Sequence, residues 1–131
     1  MNRKISIALI IFGLAVLVSC QKQQEESRAE AVKLSTEEVK KAISAYIQNK
    51  SDAEGKFGIE DAVENRAREL TFGYIHDSVH DTGDGRYFAC VDFTETPADT
   101  LDLDFYVAAD SDGKPMVSEV VIHKVNGVAR E

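Results

Sequence analysis

The pattern of apolar and polar positions divides this chain into three parts. Residues 5–18 carry no charged side chain, residues 21–33 are mostly polar and charged, and apolar residues recur at regular spacing from Leu34 onward. The spacing is helical at first and then changes to a period of two, which is typical of strands. The sequence therefore predicts a leader, a polar connection and one domain that contains both a helix and a sheet.

The helical pattern begins with strong start signals. Ser35 and Glu38 have the S-x-x-E spacing of a capping box, and Leu34 lies where it can contact Val39 in a hydrophobic staple. The predicted helix runs to about Lys50. One face of it carries the apolar residues Val39, Ala42, Ile43, Tyr46 and Ile47. We expect this face to pack on a sheet.

Alternating residues predict strands in the rest of the chain. The predicted strands are Phe57 to Ile59, Leu70 to Asp77, Arg86 to Thr94, Leu101 to Ala108 and Met116 to Val125. Residues 81–85 and 111–114 have the composition of hairpin turns, and Asn126-Gly127 is predicted to close the last strand. Residues 61–66 fit either a turn or one or two helical turns.

The last two predicted strands can be aligned residue by residue if Asp112-Gly113 is a two-residue loop. Phe105 then lies opposite Val120, and Leu103 lies on the same side of the sheet. This side must face the helix, because a shift of one residue would bury aspartates. The pairs predicted on the opposite side are Asp102 with His123, Asp104 with Val121, and Tyr106 with Glu119.

The predicted fold class is α+β, with one N-terminal helix packed on an antiparallel meander sheet of four or five strands. This plan resembles the cystatin-like and NTF2-like folds over roughly residues 35–126. The segments Phe88 to Phe93 and Asp102 to Phe105, with His123-Lys124 and Asn126-Gly127, are also similar to uncharacterised secreted bacterial domains. Neither resemblance implies a catalytic residue.

The leader combines Arg3 and Lys4, an apolar run and the sequence Leu17-Val18-Ser19-Cys20. It resembles the signal peptide and lipobox of bacterial lipoproteins, in which the cysteine is lipidated and becomes the mature N-terminus. The resemblance implies a signal peptide over residues 1–19, then lipidated Cys20 with a flexible tether over residues 20–34, and one domain over residues 35–131. A plain signal peptide followed by a chance cysteine is the alternative.

The resemblance also implies where the protein resides. Acyl chains on Cys20 would hold it at a membrane, since each buried CH₂ contributes about 0.8 kcal/mol and two or more chains hold stably. Gln21 after the cysteine suggests the periplasmic side of the outer membrane in a cell with two membranes. In a cell with one membrane, the expected location is the outer face of that membrane.

Charge narrows the choice of partners. Residues 1–19 contain two basic residues and no acidic residue, so the remainder carries 13 basic and 23 acidic residues and a net charge of about −10. Such a charge disfavours binding to nucleic acid and to anionic lipid. The membrane, through the lipid anchor, and an envelope protein or small ligand are the expected partners.

The sequence assigns no catalytic residue, no metal site and no cofactor. It contains no nucleophile elbow, zinc signature or Gly-rich phosphate loop. On a strand, His76 and His80 would lie about 13 Å apart, too far to share one ion. The acidic turns lack the EF-hand spacing, and Cys90 is interpreted as an inert thiol.

One surface remains as a candidate binding face, namely the side of the sheet away from the helix. Its candidate residues are Asp92, Asp102, Asp104, His123, Tyr106 and Cys90. Carboxylates that converge on an imidazole can bind a cation or a basic peptide, although an ordinary solvated face has the same composition. We expect a non-enzymatic binding or structural module. The alternative is a small NTF2-like hydrolase or isomerase with a pocket between helix and sheet. In that case His76, which is expected on the core-facing side beside Tyr74, is the acid or base.

Overall fold

The computed structural model describes residues 32–130. They form one helix and seven strands, which are α1 (Thr36–Lys50), β1 (Lys56–Asp61), β2 (Arg66–Ile75), β3 (His80–Asp81), β4 (Arg86–Glu95), β5 (Asp99–Ala109), β6 (Pro115–Val125) and β7 (Val128–Ala129). The predicted signal peptide, the lipidated Cys20 and the tether up to residue 31 lie outside the described residues.

Helix α1 begins as the sequence predicts. Ser35 is the N-cap, its side chain accepts a hydrogen bond from the backbone N–H of Glu38, and the Glu38 side chain accepts one from the backbone N–H of Ser35. Both halves of the capping box are therefore present. Leu34 and Val39, the two residues of the predicted staple, are buried.

The sheet is an antiparallel meander that curls into a half-barrel around one face of α1. Its strand order is β1-β2-β4-β5-β6-β7, and β3 pairs with the first part of β4. Strands β2 and β3 both flank β4 on the same side, since β2 pairs with residues from Val91 to Thr94 and β3 pairs with Tyr87 and Phe88. Residues 76–79 separate β2 from β3, which would otherwise form one continuous strand along this edge of β4.

The predicted strand number of four or five is wrong, because the described residues contain seven strands. The broader α+β class holds. One extra strand, β3, comes from the interruption after β2. The other, β7, follows Asn126-Gly127, where both residues have positive φ, 51° and 76°. Two such residues in succession are typical of a type I′ hairpin turn. The chain therefore turns back and pairs with β6, so β6 is not the last strand of the sheet.

The register of β5 and β6 is predicted correctly over its central part only. Phe105 pairs with Val120 and Leu103 with Ile122, as expected. Two register shifts flank this part, one between Asp102 and Leu103 and the other between Tyr106 and Val107. Each is a bulge, in which one strand has an extra residue that lacks a partner. The predicted pair of Asp102 with His123 is therefore wrong, because Asp102 pairs with Lys124.

The core lies between α1 and the concave side of the sheet. Val39, Ile43 and Ile47 of the helix are buried, and α1 packs against β1, β4, β5 and β6. Four aromatic rings meet there, with ring centroids 5.4–6.3 Å apart: Tyr46, Phe57, Phe93 and Phe105. The turn at residues 62–65, with Asn65 at a φ of 50°, settles the ambiguous segment after β1 as a turn.

Candidate functional site

The outer face is the side of the sheet that points away from α1. On β4 and β5 its residues alternate with the buried residues of the core, as expected for strands that are covered on one side only. The outer face includes Tyr74, His76, Phe88, Cys90, Asp92, Asp102, Asp104, Tyr106, Glu119, Val121, His123 and Lys124. All six residues of the predicted binding face belong to it.

Three of these residues converge in one cluster. Cys90 and Asp104 are paired across β4 and β5, and the Cys90 Sγ donates a hydrogen bond of 2.8 Å to Asp104 Oδ1. The Nδ1 atom of His123 lies 3.5 Å from Asp104 Oδ2. One ligand atom from each of the three residues lies within 4.8 Å of the other two. The Asp104 carboxylate is the most enclosed of the three, with a side chain only 12% exposed.

A bulge in β6 places His123 in this cluster. Ile122 pairs with Leu103 and Lys124 pairs with Asp102, so His123 is the extra residue that has no partner on β5. A bulge redirects a side chain relative to regular alternation. His123 and Lys124 consequently both reach the outer face, where the Lys124 Nζ lies 3.7 Å from Asp102 Oδ2. The predicted neighbour of His123 was Asp102, whereas the observed one is Asp104.

The environment of Cys90 keeps its thiol protonated, so the residue is not a nucleophile. Burial, the hydrogen bond to Asp104 and the negative charges of Asp104 and Asp102 raise the pKa of Cys90 to about 12. The residue is therefore a neutral thiol near pH 7, and a thiolate is needed for nucleophilic attack. The sequence-based interpretation of Cys90 as unreactive agrees with this geometry.

A second pair on the outer face joins His76 to Asp92. The His76 Nε2 lies 2.8 Å from Asp92 Oδ1, and the ring of Tyr74 stacks on the imidazole with centroids 4.9 Å apart. The register of β2 shifts between Phe72 and Tyr74. A Cβ at Gly73 would lie 2.6 Å from the backbone oxygen of Asp92, so this close approach requires glycine.

This shift overturns the expectation that His76 faces the core. The side chain points away from α1, so a pocket between helix and sheet does not reach it. A groove of about 390 Å³ does run beside the end of α1, lined in part by Ile47, Ser51 and Phe72. His76, the acid or base of the enzymatic alternative, lies on the other side of the sheet from this groove.

Tyr106 belongs to a separate part of the outer face. Its ring packs on Phe88, with centroids 5.3 Å apart, and the Arg86 guanidinium lies 5.1 Å from its centroid. Phe88 in turn stacks on His80. Of the six predicted residues, the structure brings together Cys90, Asp104 and His123, places Asp92 and Asp102 beside them, and puts Tyr106 in this aromatic group.

An ion-pair network on the concave side of the sheet was missed by sequence reasoning. Arg68 is fully buried beside Leu70 in β2, and its Nε donates a 2.7 Å hydrogen bond to Asp61, which is 2% exposed. The other charged members are Glu64, Arg66, Glu95, Asp99 and Arg130. The available signal was the position of Arg66 and Arg68 in the same alternating set as buried Leu70.

The electrostatics of this network favour the ionised state of its acids. Burial opposes ionisation of Asp61, but hydrogen bonds from Arg68 and the Glu64 backbone, with the charges of Arg130 and Arg68, leave its pKa below the usual value. A hydrogen bond from Arg66, with one from Arg68, lowers the pKa of Glu95 despite its burial. Every acid of the network whose pKa is lowered has an arginine partner. The network therefore stabilises the fold and is not a candidate binding site.

Comparison with protein-family models, with curated proteins and with solved structures finds no match to this chain. The fold and the outer face therefore define the class: an α+β half-barrel with one helix on its concave side and a polar cluster on its convex side. Within residues 32–130, no helix has both the length and the apolar character that a bilayer crossing requires.

Proposed function

We propose that this protein is an exported, lipid-anchored binding module that holds a cationic ligand on the outer face of its sheet. The observation that carries the proposal is a group of three carboxylates on two paired strands. Asp92 lies directly opposite Asp102, and Asp104 is two residues further along β5. Like charges directly opposite each other destabilise a sheet. A bound cation offsets that repulsion.

The two side chains that already contact these carboxylates leave room for such a ligand. His76 contacts Asp92 and Lys124 lies near Asp102, but both side chains are more than a third exposed. Exposed ion pairs contribute only about 0–1 kcal/mol each, so a ligand can replace them at little cost. The net charge of about −10 on the chain after residue 19 also attracts cations from a distance.

Two observations support a binding role over the enzymatic alternative. His76 lies on the side of the sheet away from the helix and is paired with Asp92. Cys90 is held as a neutral thiol by Asp104. His76 is therefore not in a pocket between helix and sheet, which is where the alternative placed it, and Cys90 is not a nucleophile.

The anchor rests on Leu17-Val18-Ser19-Cys20 and is tested by replacing its cysteine. We expect Cys20→Ala to abolish metabolic labelling with an alkyne analogue of palmitate and to remove the mature protein from the lipid-anchored membrane fraction. Cys90→Ala is the matched control, because it removes the other cysteine of the chain. Labelling of the Cys20→Ala protein at the wild-type level would show that Cys20 is not the lipidated residue.

The binding face is tested with tetralysine, a cationic probe. In ¹H–¹⁵N NMR spectra of the full-length Cys20→Ala protein in detergent, we expect tetralysine to shift the amides of Asp92, Asp102 and Asp104 first. Asp92→Asn/Asp102→Asn should abolish these shifts. Glu54→Gln/Asp112→Asn removes the same charge from two exposed turns and should preserve them. Shifts spread evenly over all acidic turns would indicate unspecific attraction and contradict the proposal.

A further inference from the structure

We propose that Cys90, Asp104 and His123 bind a single zinc ion on the outer face, with the fourth coordination position open to water or to a group from a partner. The proposal rests on the proposed function in that both use the outer face to hold a cation. It goes further in naming the ion, its three ligands and its coordination.

The ligand types favour zinc over calcium and magnesium. Zinc is bound in proteins by cysteine sulfur, histidine nitrogen and carboxylate oxygen. Calcium and magnesium prefer oxygen ligands alone, so a cluster with one sulfur and one nitrogen donor is a poor site for either. Three protein ligands leave one of the four tetrahedral positions of zinc unoccupied by the protein.

The geometry of the cluster is close to that of a metal site. Zinc–sulfur and zinc–oxygen distances of about 2.3 and 2.0–2.2 Å place tetrahedral sulfur and oxygen ligands about 3.6 Å apart. The Cys90 Sγ and Asp104 Oδ1 lie 2.8 Å apart, and all three ligand atoms lie within 4.8 Å of one another. Side-chain adjustments on the order of 1 Å bring them to tetrahedral spacing, while the paired strands β4 and β5 fix the Cα positions.

His123 supplies an independent observation. Within residues 32–130, its Nδ1 atom is shielded from solvent and has no hydrogen-bond partner, although it lies 3.5 Å from Asp104 Oδ2. Buried polar atoms are almost always paired, and leaving one unpaired is unfavourable. The bulge in β6 directs this nitrogen at the cluster. A zinc ion bound there accepts the lone pair of Nδ1 and removes the unpaired state.

The exchange that accompanies binding is balanced in charge and protons. A thiol that coordinates zinc is deprotonated by the charge of the ion. The Cys90 S–H bond therefore breaks, its proton passes to solvent, and a Zn–S bond forms, with no change in oxidation state. The 2+ charge of zinc is then matched by one thiolate and one carboxylate. The carboxylates of Asp92 and Asp102 lie beside the cluster on the same two strands and attract the ion toward it.

The test uses the full-length protein with Cys20→Ala, in which Cys90 is the only thiol. The protein is purified in detergent, treated with a chelator and titrated with Co²⁺, which reports thiolate ligation by a charge-transfer band in the near ultraviolet. We expect one equivalent of Co²⁺ to produce this band and one equivalent of Zn²⁺ to displace it. Zinc should also raise the midpoint of thermal unfolding, because it binds the native state.

Three substitutions identify the ligands, and two matched variants act as controls. Loss of a group that merely supports a ligand lowers metal affinity by about 10–100-fold, so we expect Cys90→Ser, Asp104→Asn and His123→Gln to lower it by about 100-fold or more. The control variants Arg86→Gln and Glu119→Gln change an exposed ion pair elsewhere on the outer face and should keep affinity within about threefold. Far-ultraviolet circular dichroism in chelator confirms that each variant is folded.

The outcomes separate this proposal from the proposed function. A missing thiolate band, or a variant at any of the three positions with wild-type zinc affinity, overturns the three-ligand site. If zinc binding fails while tetralysine still shifts the amides of the outer face, the binding module stands without zinc. If both probes fail, the outer face does not bind cations at all.

Discussion

Replacement of Phe105 by alanine should lower the free energy of unfolding by about 3–5 kcal/mol, the usual cost of truncating a buried phenylalanine. Phe105 is completely buried in β5. The centroid of its ring lies 6.2 Å from the ring centroid of Tyr46, 5.9 Å from that of Phe57 and 6.2 Å from that of Phe93. The substitution leaves a cavity where α1 meets the sheet, and urea denaturation followed by circular dichroism measures the loss.

Tyr74→Ala is the matched control for this prediction. It also removes an aromatic ring from a strand of the sheet, but Tyr74 lies on the outer face and is 56% exposed. Substitutions at exposed positions usually change stability by only about 0.5 kcal/mol. A larger loss for Tyr74→Ala than for Phe105→Ala would show that the two faces of the sheet are assigned the wrong way round.

The helix and the central register could be predicted because each rests on several agreeing local signals. The capping box of Ser35 and Glu38 fixes the start of α1, and the apolar stripe fixes which face is buried. Leu103 and Phe105 pair with Ile122 and Val120 as predicted, since only this register keeps the apolar set on one side.

The bulges could not be predicted, and they decide the composition of the candidate site. A bulge inserts one residue without a partner, which a uniform count of paired positions cannot represent. The bulge at His123 moves its imidazole from Asp102 to Asp104, and the shift at Gly73 moves His76 to the outer face. Residue types at these positions give little warning, although glycine within a strand is a known indication of close backbone approach.

The buried ion-pair network was missed for a different reason. Charged residues in an alternating strand are normally assigned to solvent, because an isolated buried charge is very unfavourable. Arg68 is buried all the same, because Asp61 and Glu95 approach it from β1 and β4. Such compensation depends on partners 7 and 27 residues away in sequence, which the local pattern around Arg68 does not reveal.

Arg68→Ala should destabilise the protein by about 3–5 kcal/mol, because removing one member of a buried ion pair leaves the other as an uncompensated charge. The residue left behind is Asp61, which is 2% exposed and, among the described residues, retains Arg130, at 3.2 Å, as its one basic partner. Urea denaturation at pH 7 measures the loss. Lys40→Ala is the control, since it breaks the exposed ion pair with Asp77 and should cost only about 0–1 kcal/mol.

The pH dependence of this loss distinguishes charge from packing. The pKa values of Asp61 and Glu95 are lowered in the folded protein. Their ionised forms therefore stabilise wild type above the unfolded values of about 3.9 and 4.3, and this contribution is lost as pH falls through the folded values. In Arg68→Ala the buried Asp61 carboxylate loses its main cation, so protonation costs the variant less than it costs wild type. The difference in unfolding free energy between wild type and Arg68→Ala should consequently become smaller as pH falls from 7 towards 3. A difference that stays constant over this range would mean that Arg68 contributes through the packing of its aliphatic stem and not through its charge.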